Sequence, residues 1–154
     1  MTLTPKTIDQ LYDTDLVAWT EQTVQLIRAG QFEQVDWEAV IEEIESWGRS
    51  DRRELKSRLE VLLQHLLKWQ YQPYLRSGSW QNTIDEQRNR IADLLDDSPS
   101  LKSYSEEVLA DCYRRGRKAA SNETELPLDT FPVECPYTII QVLDDEFLPG
   151  VVDF

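Results

Sequence analysis

The chain has 154 residues, a length typical of a single domain, and its 29 acidic residues outnumber its 16 basic residues, for a net charge of −13. This charge repels the phosphate backbone of DNA and RNA, so we expect no nucleic-acid partner. Hydrophobic residues make up 40% of the sequence, which is enough apolar surface for a folded core and excludes a disordered chain.

The sequence also bears on localisation. No run approaches the roughly eighteen consecutive apolar residues of a membrane span, and the amino terminus MTLTPKTIDQ lacks the apolar core of a signal sequence. Cys112 and Cys135 are the only cysteines, and they form no CxxC motif. We therefore expect a soluble protein of the reducing cytoplasm that contacts no membrane.

The first predicted helix covers residues 13–29. Asp13 or Thr14 can cap its start, apolar residues repeat through it at helical spacing, and Gly30 can supply the left-handed conformation that ends it. The preceding residues 1–10 are predicted to be an N-terminal extension.

A long central helix is predicted over residues 36–72. At about 100° per residue, the apolar positions on both sides of Gly48, from Ile41 and Ile44 onward, lie within about 40° of one direction. This unchanged phase favours one continuous helix, with Gly48 on its inner face, where it would let another helix approach. The alternative is a break at Gly48, because a glycine inside a helix costs about 1 kcal/mol and Ser50 could cap a new helix.

Three more helices are predicted after the central one. Serine and proline residues suited to helix starts open helices near 79–96 and 99–120. A proline-rich stretch then precludes regular structure until a short helix near 136–144. No segment has the alternation of a strand, so the sequence predicts one all-α domain over residues 1–154 with about five helices.

The charge is uneven along the chain. No Lys or Arg follows Lys118, whereas eight acids do, and basic clusters lie at 49–58 and 114–118. We predict that the acidic, proline-containing segment 121–154 packs on the domain with its acids facing a basic helix. The alternative is a tail that reaches for a separate basic partner.

A polar stripe is predicted along one edge of the apolar face of the central helix. Its members are Glu43, Asp51, Arg58 and His65. An unpaired charge at the edge of a core is costly, so we expect the stripe to be partly buried, with Asp51 and Arg58 bonded to each other's turns or to a neighbouring helix. Candidate partners are Asp15, Glu86 and Arg88.

His65 is the only histidine. Beside a carboxylate it could act as a general base or a metal ligand, although a histidine among leucines is more often a hydrogen-bonded residue at the core edge. The run WQYQPY at 69–74 could form a stacking platform, but aromatic residues at helical spacing are more often core. The sequence has no phosphate-binding glycine loop, nucleophile elbow or Glu-x-x-His pair.

Several sequence blocks together resemble a known family. In order, they are LYDTDLVAW, LIRAGQF, VDWEAVIEEIESWGRSDRREL, LLQHLLKWQYQP, SWQNTIDEQRNRI, LLDDSPSL and LPLDTFPVECPYTIIQVLD. Over about residues 10–149, the chain resembles the bacterial family of domain of unknown function number twenty-nine. The resemblance implies a small all-α domain without an established activity. The family pattern includes positions matching Asp15, Trp19, Glu43, Ser50, His65, Lys68, Trp80 and Arg88, but it assigns them no role.

Two functions are compatible with these features. We expect an interaction or accessory module that works through a protein partner or self-association and needs no cofactor. The rival hypothesis is an enzyme, either a metal-assisted hydrolase or a nucleotide-processing protein, and only this alternative needs a divalent metal. Its candidate catalytic or metal-binding residues are Asp15, Glu43 and His65, and its candidate anion-binding or charge-network residues are Asp51, Arg58 and Arg88.

Overall fold

The computed structural model describes residues 6–150. These residues form helices joined by turns and irregular segments, and they contain no strand. The α-helices are α1 (Ile8–Thr14), α2 (Leu16–Arg28), α3 (Trp37–Tyr71), α4 (Gly78–Asp97), α5 (Leu101–Thr124) and α6 (Ile139–Leu143). Short 3-10 turns occupy Phe32–Gln34, Pro73–Leu75 and Leu128–Thr130. The predicted all-α fold with a long central helix is confirmed. None of the helices formed by residues 6–150 combines the length and apolar character needed to cross a bilayer.

Helix α1 lies partly where an N-terminal extension was predicted. It begins at Ile8 because Thr7 forms a capping box with Gln10: each side chain accepts a hydrogen bond from the other residue's backbone N–H. The first five residues of the predicted extension lie outside the described residues. The predicted helix 13–29 is found as α2, but its cap is Asp15, whose carboxylate accepts from the backbone N–H of Ala18 at 3.0 Å.

Helix α3 is continuous through Gly48, so the prediction of one long helix is confirmed and the alternative break is not found. The predicted role of this glycine is wrong, however. A Cβ atom built on Gly48 would meet nothing within 4 Å, whereas one built on Gly116 of α5 would lie 2.9 Å from the carbonyl oxygen of Glu60. The close helix approach therefore occurs at Gly116, where α5 packs against the backbone of α3.

The chain divides into two compact units, Met1–Arg49 (unit 1) and Ser50–Phe154 (unit 2), and α3 contributes to both. Unit 1 has a small core formed by Leu11, Trp19 and Ala39. Cooperative folding of the two units as one domain stays a prediction.

The larger core belongs to unit 2. The leucines that α3 contributes are fully buried: Leu55, Leu59, Leu62, Leu63, Leu66 and Leu67. Ile84 and Ile91 of α4 and Tyr113 of α5 pack with them. The spacing of the α3 leucines matches the apolar stripe predicted for this helix. Through this stripe, α3, α4 and α5 share one core.

Within unit 2, side chains of α4 and α5 bind backbone carbonyl groups of the C-terminal segment. Arg88 of α4 is buried and donates to the carbonyl oxygens of Val142 at 2.9 Å and Phe147 at 2.8 Å. Arg117 of α5 donates twice to the carbonyl oxygen of Phe131, at 3.1 and 2.9 Å. Of the predicted tail acids, Glu123 pairs with Lys68 of α3, but within residues 6–150 no later acid forms an ion pair and none pairs with the basic clusters 49–58 and 114–118. Asp153 lies outside the described residues.

The two helical glycines should respond oppositely to alanine. We expect Gly48→Ala to raise the free energy of unfolding by about 0.5–1 kcal/mol, because the site is open and alanine has the higher helix propensity. Gly116→Ala should lower it by about 1–3 kcal/mol, since its methyl group would overlap the backbone of α3. Urea unfolding of both variants beside the parent measures this. A destabilising Gly48→Ala would contradict the open environment.

Candidate interaction surface

Unit 1 is strongly acidic. Residues 1–49 contain ten Asp and Glu against three Lys and Arg, a net charge of −7. Arg49 already pairs with Glu45 at 3.6 Å, and Lys6 donates to the hydroxyl of Thr14 at 3.2 Å. The electrostatic field over this unit is therefore negative.

Trp19 connects the helices of unit 1. Its ring packs with Ala39 of α3, and its centroid lies 4.9 Å from that of Tyr12 in α1. The Tyr12 hydroxyl donates to Oε1 of Glu43 at 3.0 Å. Partial burial and this hydrogen bond raise the pKa of Tyr12 to about 12, so the phenol stays protonated at neutral pH and holds the Glu43 carboxylate in place.

An apolar groove of about 220 Å³ lies between α2 and α3 in unit 1. From α2 its lining includes Leu16, Trp19, Thr23, Val24 and Ile27. From α3 it includes Val40, Glu43, Ile44 and Trp47. Among the described residues of the lining, Glu43 is the one that carries a charge. The two helices thus form apolar walls with one carboxylate held by Tyr12.

Large apolar side chains around this groove are exposed to solvent. Trp47 is 65% exposed, and Ile41 and Ile44 are each 54% exposed. The sequence placed both isoleucines on the apolar direction shared with Leu55, and Leu55 is fully buried. Their expected place in a core is therefore wrong: the same stripe is covered in unit 2 and open in unit 1. Contiguous exposed surface of this kind typically marks a site of interaction.

Two residues that line the groove bury a polar atom without a partner. Trp19 and Thr23 line it and are only 4% and 5% exposed. Within residues 6–150, neither Nε1 of Trp19 nor Oγ1 of Thr23 has a hydrogen-bond partner. A buried polar group left unpaired costs about 1–3 kcal/mol. Both atoms are closed to solvent, so they lower the stability of unit 1 and do not offer a bond that an incoming group could reach.

The predicted catalytic candidates each have a local bonding partner. Asp15 caps α2 and Glu43 accepts from Tyr12, both within unit 1. His65 is in unit 2, where its Nδ1 lies 2.8 Å from the carbonyl oxygen of Val61. Burial lowers the pKa of His65, so its imidazole is neutral at neutral pH. Within either unit, residues 6–150 hold no group of three His, Cys, Asp or Glu suited to a metal ion. A catalytic role for these residues stays a prediction.

The members of the polar stripe are all partly buried, as predicted. Of the two predicted arrangements, Arg58 shows the bond to a neighbouring helix, whereas a direct bond between Asp51 and Arg58 is not found among residues 6–150. Arg58 pairs with Glu54 at 2.8 Å and donates to Gln87 of α4 at 3.3 Å. The direct bond is absent because of helical spacing. Residues four apart on a helix are neighbours, whereas Asp51 and Arg58 are seven residues apart and thus about 10 Å apart along the axis. Arg88 binds the C-terminal carbonyls instead of joining this network.

One buried charge was missed by the sequence reasoning. Lys68 of α3 is buried, its Nζ lies 2.7 Å from Oε1 of Glu123 in α5, and it sits 4.4 Å from the ring centroid of Trp80 in α4. The side-chain amide of Gln64 donates to the other oxygen of Glu123. The available signal was the position of Lys68 within the apolar run LLQHLLKW. This cluster ties three helices of unit 2 together.

The two arginines of the predicted network should differ in their effect on stability. Arg58 is half-buried, and Glu54 could turn to solvent, so Arg58→Ala should cost less than about 1 kcal/mol. Arg88→Ala should cost about 3 kcal/mol or more, because it strands buried carbonyls of the C-terminal segment. Denaturant unfolding followed by tryptophan fluorescence measures both. Equal costs would contradict the assignment of Arg88 to the C-terminal segment.

Comparison with known proteins identifies a family. The family model described as domain of unknown function DUF29 matches residues 11–148, a span that includes residues of both units. No curated protein and no solved structure matches the chain.

Proposed function

We propose that the chain, which belongs to the family of domain of unknown function DUF29, is a protein-interaction module whose docking surface is the groove of unit 1. The observation that supports this most directly is the exposed apolar stripe of α3. Ile41 and Ile44 continue the line of Leu55 but remain open to solvent. A partner that covers Ile41 and Ile44 would bury them, as the periodic pattern of the sequence predicts.

The energetics favour a partner at this surface. Fully burying a large aliphatic or aromatic side chain is worth about 1.5–3 kcal/mol, and Trp47 and Ile44 each keep more than half of their surface exposed. Tryptophan is also among the residues that contribute most to protein interfaces. Covering these two side chains would contribute on the order of 2 kcal/mol of binding free energy, before the other walls of the groove are counted.

The thiol groups are unsuited to covalent catalysis by a cysteine nucleophile. Cys112 and Cys135 are free, and burial raises the pKa of the Cys112 thiol to about 11 and that of Cys135 above its ordinary value. Both thiols are mainly protonated at neutral pH and are poor nucleophiles. Two free thiols also fit the proposed setting, the reducing cytoplasm.

A photo-crosslinking experiment tests the docking surface. A benzophenone amino acid replaces Trp47 in cells of the native host, and the matched control places it at Tyr74, which is almost fully exposed in unit 2. We expect a discrete covalent adduct from position 47 and none from position 74. Leu16→Asp, on the opposite wall of the groove, should abolish the adduct. Absence of an adduct at 47, or equal adducts at both positions, would contradict the proposal.

The enzymatic alternative predicts a metal-dependent shift in stability. A metal held by Asp15, Glu43 and His65 at a hundred times its Kd would stabilise the protein by about 2.7 kcal/mol, or several degrees in Tm. We expect no such shift with Mg²⁺, Mn²⁺ or Zn²⁺, because Asp15 and Glu43 are bonded within unit 1. Thermal unfolding of the untagged protein measures it. A shift that disappears in Asp15→Asn, which keeps the helix cap, would favour the enzyme.

A further inference from the structure

We infer that the occupant of the unit 1 groove is a basic amphipathic helix of another protein. This inference rests on the proposed function and names the class of partner. It is drawn from two features of unit 1: the charge around the groove and the length of its walls.

The charge selects a basic partner. Glu43 lies in the groove, and Glu21 and Glu42 lie elsewhere on the same two helices, whereas Glu45 already pairs with Arg49. A helix is about 10 Å across, comparable with the distance of about 8 Å over which physiological salt screens a charge. The carboxylates of both helices therefore act on a docked segment, and the net charge of −7 favours Lys and Arg on its solvent face.

The dimensions of the groove fit a short helix. Its walls extend from Leu16 to Ile27 on α2 and from Val40 to Trp47 on α3. At 1.5 Å per residue these stretches are about 16 and 10 Å long, which matches two to three helical turns. A docked helix therefore needs apolar residues at positions i, i+3, i+4 and i+7.

The same charge disfavours other occupants. A second copy would bring another unit of net charge −7 against the first, so pairing of two grooves is opposed by repulsion. Anionic lipid surfaces and nucleic acids carry the same sign of charge. Among the occupants that the sequence left open, a separate protein therefore fits better than self-association.

Two synthetic peptides test the inference with the full chain by isothermal titration calorimetry. Both have the same apolar face, and the solvent face is Lys in one and Glu in the other. We expect the Lys peptide to bind at least about tenfold more tightly at low salt, with the difference shrinking as salt is added. Ile44→Asp should abolish its binding, whereas Glu43→Gln should only weaken it. Equal affinity of the two peptides would overturn the inferred charge and leave the docking surface standing.

Two other outcomes also decide the matter. If neither peptide binds while position 47 still gives an adduct in cells, the inferred partner class is wrong and the proposed function stands; without the adduct, both fail. A dimer in light scattering that Ile44→Asp dissociates would make a second copy the occupant and overturn the inference.

Discussion

The apolar stripe of α3 is the constraint on which the structure depends. It keeps one phase from Ile41 to Leu66, so a single helix can contribute to both units without a break. In unit 2 this stripe meets α4 and α5 and forms the larger core. In unit 1 the corresponding residues line or flank a groove between two helices. Fold and proposed interaction thus follow from the same periodic pattern.

The core of unit 2 holds the rest of the chain through backbone contacts more than through ion pairs. Gly116 lets α5 approach the backbone of α3, and Arg88 and Arg117 bind carbonyl groups of the C-terminal segment. A carbonyl at the end of a short helix needs a donor because it has no partner within the helix. Arg88 supplies that donor to Val142 in α6, which is why so short a helix can be packed in place.

Local signals made most of the fold predictable. The continuity of α3 followed from phase alone, because a glycine penalty of about 1 kcal/mol is small beside the burial of several leucines. The separation of α1 from α2 at Asp15 was missed, since Asp13 and Thr14 are equally good caps by residue type. The close approach at Gly116, and the pairing of Lys68 with Glu123, join residues more than fifty positions apart. No rule of local spacing contains that information.

The candidate site was less predictable from the sequence than the fold. Periodicity identified Ile41 and Ile44 as apolar-face residues, but only the arrangement of the helices shows which part of that face remains open. Unit 1 departs from the rules of a well-satisfied core because large apolar residues around its groove are exposed. This exposure costs stability, and a stability optimum would remove it. Its occurrence in an acidic unit is explained most economically by a partner that supplies apolar surface and positive charge together.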